Sequence, residues 1–384
     1  MVLVAVGGAL EAVCRQLPYQ VNLNGVYRTG FTGCWFAEDG ETVTLCEEDT
    51  GRFPPQTFPK HKGDACRVLF VGGSSVRLPG HRGWPERSTI GELPVEVVNV
   101  GVPGATSLAT TLRAQAALRY EPDVIVVYEG HNDLAQWSFG SGEDIVLRDQ
   151  RLARAVLTLE RSAFFRTLSW VAELSKPQRK RELVEGLRVS AAVVRPEEAP
   201  IIAAEVLANF TALVEAAGDV PVIQVVPISN PGKAPIATVT DTDFQRGKRV
   251  DEQVLAADRL FEAGDAGSAL AATEIALLAD NTHAGAWWVK SRALQVLGRG
   301  PEAVVAYGNA RRLDAMPLRS TPAVDDAIRA VAADELIDLP LLLGADGGLV
   351  PEAFFTDMVH LSGAGHGELA RIVSARVQEW CGRR

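Results

Sequence analysis

Short apolar runs alternate with amphipathic helical stretches over most of the chain. Val68–Val71, Val95–Val100 and Val124–Val127 are rich in β-branched residues, and Gly, Pro or Asp residues bound them. Such runs are typical of strands that are buried on both faces of a parallel sheet. A fourth run, Val220–Val226, follows an amphipathic helical pattern over 201–217. The alternation predicts an α/β fold whose parallel strands are joined by right-handed crossovers.

A last strand is predicted at Leu336–Leu339, and a closing helix at Gly365–Trp380. The region before Arg67 is rich in Gly, Thr and aromatic residues, which indicates an irregular or antiparallel cap over one edge of the sheet. Functional loops of such folds gather at the carboxyl ends of the strands. Chemistry is therefore expected in the turns that follow the apolar runs.

The stretch from Asp251 to Asp314 has no strand pattern and repeats itself with a period of 34 residues. The matching pairs are Leu260 and Leu294, Gly264 and Gly298, Ala269 and Ala303, and Ala276 and Ala310. Each unit reads helix, Gly turn, helix, and resembles a tetratricopeptide repeat, in which an aromatic such as Trp287 or Tyr307 fills the space between paired helices. An ordinary helical hairpin with chance periodicity is the alternative.

Four regions are expected along the chain. They are an N-terminal cap (1–66), the first part of an α/β domain (67–245), a helical insertion (246–315) and the second part of the α/β domain (316–384).

Composition excludes some classes of protein. The 384 residues are 47% hydrophobic and 22% charged, which suits a large folded core. The net charge of −10 argues against nucleic-acid binding, and the basic cluster Lys176–Arg181 is interpreted as a solvated turn. The apolar stretch Met1–Leu10 is too short to span a bilayer, so we expect a buried strand or helix start there, with the remnant of a membrane anchor as the alternative.

The cysteines give little information about location. Their odd number and scattered spacing indicate neither a zinc site nor a disulfide framework, although one or two can pair outside the cytoplasm: Cys14, Cys34, Cys46, Cys66 and Cys381. A cytoplasmic location is expected, with an extracytoplasmic or membrane-tethered one as the alternative.

Residues suited to acyl transfer follow the apolar runs. Ser74 comes after a strand and two glycines, where its hydroxyl can lie on a tight turn and act as a nucleophile with a helix following it. His360 can serve as its base, and Asp357 can orient the imidazole. Ser75, one position later, is the alternative nucleophile. The alternative to a catalytic pair is that Asp357 caps the next helix and that His360 is an ordinary surface residue.

Two further residues can stabilise an oxyanion. Gly104 offers a backbone N–H in a loop, and Asn132 offers a side-chain amide after the third strand. With the N–H of Ser74 they make a set of three donors. Each can also be ordinary turn chemistry, since Gly and Asn are common loop formers.

The four segments together resemble the blocks of the SGNH or GDSL hydrolase family: 72–75, 99–107, 130–133 and 357–360. The resemblance implies a three-layer α/β/α flavodoxin-like sheet with Ser74 as nucleophile, His360 and Asp357 as its partners, and Ser74, Gly104 and Asn132 as oxyanion donors. One position departs from the family, because Gly73 stands where the first block usually has Asp.

We therefore expect a serine hydrolase that cleaves a small-molecule acyl ester, with no cofactor and no metal. Two alternatives remain: an acyltransferase to a sugar or secondary-metabolite hydroxyl that uses the same residues, and a protein-binding module on a degenerate hydrolase scaffold. A protein partner for the helical repeats (251–314) is possible under any of these. No nucleic acid and no stable membrane span are expected.

Overall fold

The computed structural model describes residues 35–45, 56–77, 83–88, 93–139, 164, 196–238 and 244–383. The apolar stretch Met1–Leu10 and the basic cluster Lys176–Arg181 lie outside these residues.

The strands form two sheets. Three are β1 (Phe36–Asp39), β2 (Thr42–Leu45) and β3 (Thr57–Pro59), and five are β4 (Cys66–Gly72), β5 (Val95–Asn99), β6 (Val124–Tyr128), β7 (Val222–Val226) and β8 (Glu335–Asp338). The five-stranded sheet has the order β5-β4-β6-β7-β8, and every neighbouring pair is parallel. The expected parallel sheet is therefore confirmed, in the strand order of flavodoxin-like folds.

The helices of the described residues are α1 (Trp84–Arg87), α2 (Ser107–Ala117), α3 (Asn132–Phe139), α4 (Ala199–Ala217), α5 (Phe244–Glu262), α6 (Ala266–Ala279), α7 (Ala284–Val296), α8 (Gly300–Arg312), α9 (Pro322–Arg329), α10 (Leu339–Leu343) and α11 (Gly363–Cys381). Short 3-10 turns lie at Leu118–Tyr120, Ala345–Gly347 and Glu352–Phe354.

Helices cover both faces of the large sheet. Side chains alternate along β4, so that Leu69 and Val71 enter one core with α2, α4 and α9. Val68 and Phe70 enter the opposite core with α1 and α11. All seven residues of β4 are buried, which explains its continuous apolar run. The fold class is the expected three-layer α/β/α arrangement.

The predicted cap is antiparallel where the structure describes it. β1 pairs with β2, and β2 pairs with β3. Val43, Leu45 and Phe58 from these strands join the core on the face of α2 and α4, together with Tyr120. The small sheet therefore extends the main core and closes one side of it.

Helix α4 is long and apolar enough to cross a membrane by length and composition, the one such helix among the described ranges. Here Val206, Phe210 and Leu213 pack in the core beside β6. That packing accounts for the apolar side chains on the core face of the helix.

Helices α5–α8 follow one another between β7 and β8 and form the all-α insertion of the fold. The turns between α5 and α6 and between α7 and α8 contain Gly264 and Gly298, whose φ angles are +85° and +74°. Glycine adopts this left-handed backbone without the steric cost of a Cβ. The Trp288 indole N–H donates to the carbonyl of Pro231 at 2.8 Å, which joins the insertion to the loop after β7.

A disulfide joins Cys66, at the start of β4, to Cys381, at the end of α11. Both residues are buried, and they lie 315 positions apart in the chain. Spacing alone did not indicate this pair, because the parallel sheet and the closing helix bring the two cysteines together. Such a bond restricts the unfolded chain over a very long loop.

Replacing Cys66 and Cys381 by Ser should lower the free energy of unfolding by roughly 2–5 kcal/mol. Urea denaturation without reductant measures this, after peptide mapping has identified the linked peptides. As a control, dithiothreitol should lower the midpoint of the wild-type protein more than that of the double variant. Equal midpoints for both proteins without reductant would contradict a stabilising role of the bond.

Candidate active site

Ser74 lies in the turn directly after β4, at the carboxyl edge of the sheet. Gly72 has a φ of +154°, and a Cβ there would lie 2.1 Å from the carbonyl oxygen of Tyr128 in β6. Only glycine fits this approach of the two strands. The N–H of Val76 donates to the carbonyl of Gly73 at 3.1 Å. The helix that the sequence predicts after Ser74 is, in the described residues, a single turn.

His360 connects Ser74 to Asp357. Its Nε2 lies 2.7 Å from Ser74 Oγ, and its Nδ1 lies 2.6 Å from Asp357 Oδ2. An ionised carboxylate only accepts hydrogen bonds, so Nδ1 carries the proton. Nε2 of a neutral ring is then left to accept the Ser74 hydroxyl proton. The structure thus brings together the three residues that the sequence singles out for covalent catalysis.

The Asp357 carboxyl is held in its ionised form. Burial by itself raises its pKa, but hydrogen bonds from the His360 ring, the His360 backbone N–H and the Val359 backbone N–H outweigh this and lower the pKa to about 2. The carboxylate therefore stays charged at neutral pH, beside a ring that becomes positive when it takes a proton.

The loop that carries His360 is shaped by Asp357 itself. Asp357 Oδ1 accepts the N–H groups of Val359 and His360 at 2.9 Å and 2.8 Å. The cap of α11 is Ser362, whose Oγ accepts the Gly365 N–H at 3.2 Å. Asp357 closes the turn before the helix instead of capping the helix, which leaves its other oxygen for the imidazole.

The two further expected donors lie in segments that are hydrogen-bonded to each other. Asn132 Nδ2 donates to the carbonyl oxygen of Ala105 at 2.9 Å, so the loop of Gly104 and the start of α3 are joined. Gly104 has a φ of +76°, which favours glycine. A Cβ on Gly73 would lie 2.6 Å from Asn132 Nδ2, which places that amide next to the residue preceding Ser74.

Ser75, the alternative nucleophile, faces elsewhere. Its side chain is buried, and its Oγ donates to the carbonyl of Val359 at 3.4 Å. Ser74 is partly exposed and is the serine that contacts His360. The geometry favours Ser74.

Asn230, which sequence analysis did not single out, holds the loop of Asp357. Its backbone N–H donates to the carbonyl of Met358 and its Nδ2 to that of Asp357, both at 2.9 Å. Its own carbonyl accepts the Tyr307 hydroxyl at 3.0 Å and Arg319 Nη1 at 3.2 Å. Helix α8 of the insertion is therefore hydrogen-bonded, through one residue, to the loop that positions His360.

A signal for Asn230 exists in the sequence. The polar turn 229–232 follows β7, so it comes to the same edge of the sheet as the turns after β4 and β6. Nothing in the sequence indicates that Tyr307, 77 residues later, bonds to it. Glu129, at the end of β6, was also missed.

His131 is a buried neutral histidine near the candidate site. Its Nδ1 accepts the N–H of Ser320 at 3.1 Å, so Nε2 carries the proton, and that atom has no hydrogen-bond partner among the described residues. Burial first, then electrostatic repulsion from the neighbouring basic side chains of His360, Arg311 and Arg319, lowers the pKa of His131 to about 3. It therefore stays uncharged at neutral pH.

Within the described ranges, no group of three His, Cys, Asp or Glu side chains is arranged to hold a metal ion.

Comparison with known families adds an independent finding. The model of the GDSL-like lipase/acylhydrolase family matches residues 70–266, just over half of the 384 residues. The matched range contains Ser74, Gly104 and Asn132, and it ends before Asp357 and His360. No curated protein matches the chain.

Replacing Tyr307 by Phe should lower the free energy of unfolding by about 1–3 kcal/mol, because it leaves the buried hydroxyl of Ser229 without its partner and removes one of the two donors to the Asn230 carbonyl. Tyr120→Phe is a matched control, since the hydroxyl of Tyr120 bonds to the partly exposed Glu38, where water can replace it. Urea denaturation compares the two variants. An equal or larger loss in the control would contradict the role given to Tyr307.

Proposed function

The chain belongs to the GDSL-like lipase/acylhydrolase family, and we propose that it cleaves carboxylic esters through a covalent acyl-Ser74 intermediate. Membership supports an ester hydrolase or acyltransferase. The proposed acyl-Ser74 mechanism rests on two hydrogen bonds that share the His360 ring. Ser74 Oγ lies 2.7 Å from His360 Nε2, and His360 Nδ1 lies 2.6 Å from Asp357 Oδ2.

In the acylation step, Ser74 Oγ attacks the carbonyl carbon of the ester while His360 Nε2 takes the hydroxyl proton. The tetrahedral intermediate collapses when the bond to the alkoxy oxygen breaks and His360 returns its proton to that oxygen. The alcohol leaves, and the acyl group stays on Ser74. The Asp357 carboxylate accepts the hydrogen bond from the His360 Nδ1–H throughout and stabilises the imidazolium that forms.

We propose the N–H groups of Ser74 and Gly104 and the Asn132 amide as donors to the oxyanion. Their loops are joined by the bond between Asn132 Nδ2 and the carbonyl of Ala105. Nδ2 has two hydrogens: one is donated to the Ala105 carbonyl, and the other, which faces Glu129 Oε1 at an N–O distance of 3.3 Å, is the one that we propose as the donor to the oxyanion. Donors fixed in place before the reaction need no reorganisation when negative charge develops.

In the second step an oxygen nucleophile attacks the acyl-Ser74 carbonyl while His360 takes its proton. The bond from Ser74 Oγ to the acyl carbon then breaks, His360 returns the proton to Oγ, and the acyl product leaves. Water as nucleophile gives hydrolysis, whereas a sugar or secondary-metabolite hydroxyl gives acyl transfer. The same residues serve both outcomes, and the exclusion of water from the acyl-enzyme decides between them. The proposal is hydrolysis, with transfer as the second candidate.

We propose that the protein works in an oxidising compartment, the alternative to the cytoplasmic location expected from the sequence. The Cys66–Cys381 bond supports this proposal, because cytosolic reductants keep most cysteines reduced.

We propose that helices α5–α8 form two tetratricopeptide-like repeats, α5 with α6 and α7 with α8. We also propose the division into an N-terminal cap (1–66), the first part of the α/β domain (67–245), the helical insertion (246–315) and the second part of the α/β domain (316–384). The repeated Gly264 and Gly298 both have positive φ, and the repeated Ala269 and Ala303 are both buried, which supports structural equivalence of the two units. Several apolar side chains of these helices are exposed: Leu255, Ile275, Leu278, Val296 and Val305. These exposed side chains support a protein-binding role for the insertion. The hydrogen bond between Ser74 and His360 supports catalysis as well, and argues against a scaffold that has lost its activity.

A fluorophosphonate should form an adduct on the peptide that contains Ser74, and Ser74→Ala should abolish both the adduct and hydrolysis of p-nitrophenyl esters, with a loss of roughly 10⁴–10⁶ in kcat. Ser75→Ala is the matched control and should keep both. Mass spectrometry and a series of esters of increasing chain length measure the two effects. Labelling of Ser75 or of neither serine would refute the proposal, and product analysis with added alcohols separates hydrolysis from transfer.

Replacing Ile275 and Leu278 of α6 together by Ser should leave ester hydrolysis unchanged and abolish capture of the partner from an extract of the source organism. Leu278 is 88% exposed, so its loss should cost little stability. Leu341→Ser with Leu342→Ser is the control, since these exposed leucines lie on α10, outside the insertion. Capture that is equal for both double variants would contradict a binding role for the repeats.

A further inference from the structure

Position 73, directly before Ser74, has no room for a side chain. A Cβ on Gly73 would lie 2.5 Å from Glu129 Oε2 and 2.6 Å from Asn132 Nδ2. Carbon atoms do not approach polar atoms this closely without displacing them. The space beside the Ser74 turn is therefore already filled, by the Glu129 carboxyl from the end of β6 and by the end of the Asn132 side chain.

Glu129 holds the turn that carries Asn132. Its Oε1 accepts the backbone N–H of Gly130 at 2.9 Å, that of His131 at 3.2 Å and that of Asn132 at 3.4 Å. The same oxygen lies 3.3 Å from Asn132 Nδ2. One buried oxygen thus accepts the backbone N–H groups at the start of α3. It also contacts the side-chain amide that we propose as an oxyanion donor.

The charge of this carboxyl suits its place. Burial first, then the neighbouring Asp133 carboxyl, raise the pKa of Glu129 to about 8, while its backbone hydrogen bonds oppose the shift. The group is mainly protonated at neutral pH. A neutral carboxyl beside the Ser74 turn does not repel the negative charge that forms on the carbonyl oxygen of a bound ester.

We propose that Glu129 is a positioning residue of the ester-cleaving site, whose carboxyl group fills the space at position 73 and fixes the Asn132 amide against the Ser74 turn. This inference rests on the proposed function, because it takes Asn132 as a donor to the oxyanion. It also accounts for the departure at Gly73. The site holds one carboxyl at this point, and here it is supplied from β6 instead of from the residue before the serine.

The proposal predicts a reciprocal exchange. Glu129→Ala should lower kcat for p-nitrophenyl acetate by about 10²-fold while KM changes by less than about threefold, because the Asn132 contact matters most in the transition state. Glu129→Gln keeps an oxygen that can accept the same N–H groups, so it should retain most of the activity. Gly73→Asp alone should be poorly active, since two carboxyls would compete for one space.

The decisive variant combines Gly73→Asp with Glu129→Ala. It should exceed the kcat of each single variant by about tenfold or more, since the new carboxyl takes the vacated space. Glu96→Ala is the control, because Glu96 bonds to Arg67 at the opposite edge of the sheet. It should shift the unfolding midpoint but leave kcat unchanged.

Two results would overturn the inference: a folded Glu129→Ala variant whose kcat matches the wild type, or a double variant no better than the single ones. If Glu129→Ala does not fold, the Glu129→Gln variant and the double variant decide. A wild-type protein that hydrolyses no ester and takes no fluorophosphonate would refute the proposed function itself. An active wild type with an unaffected Glu129→Ala variant refutes this inference alone.

Discussion

Parallel pairing of the central strands brings side chains 286 positions apart in the chain into one hydrogen bond, between Ser74 and His360. Gly72 lies opposite Tyr128 in the register of β4 and β6, and Tyr128 lies opposite Val225 in that of β6 and β7. Three strands therefore end at one edge, and their following turns carry the polar groups of the site. The other contacts of the candidate site depend on this alignment.

The sequence predicts those features of the fold that depend on local pattern. Buried strands need continuous apolar runs, and turns at their ends need glycine, asparagine or serine, so the sheet, Ser74 and Asn132 could be predicted. The arrangement of His360 and Asp357 followed because the two lie in one short loop. The single turn after Ser74 and the contact of Tyr307 with Asn230 could not be predicted, since they depend on packing between distant segments.

Buried polar contacts connect the insertion to the loop of His360. Tyr307 and Arg319 both donate to the carbonyl of Asn230, and Asn230 in turn donates to the carbonyls of Met358 and Asp357. Such bonds are directional, and each buried group that loses its partner costs free energy. The position of α8 and the conformation of this loop are therefore set together, although a long segment separates Asp357 from β7.

The bond between Cys66 and Cys381 turns the chain between them into a closed covalent ring. Every strand of the central sheet, the insertion and both halves of the candidate site belong to this ring. A single backbone cleavage in one of its loops leaves two fragments that remain one molecule. The Ser74 and His360 fragments of a nicked chain would meet again at the high effective concentration of an intramolecular reaction, and not by bimolecular encounter.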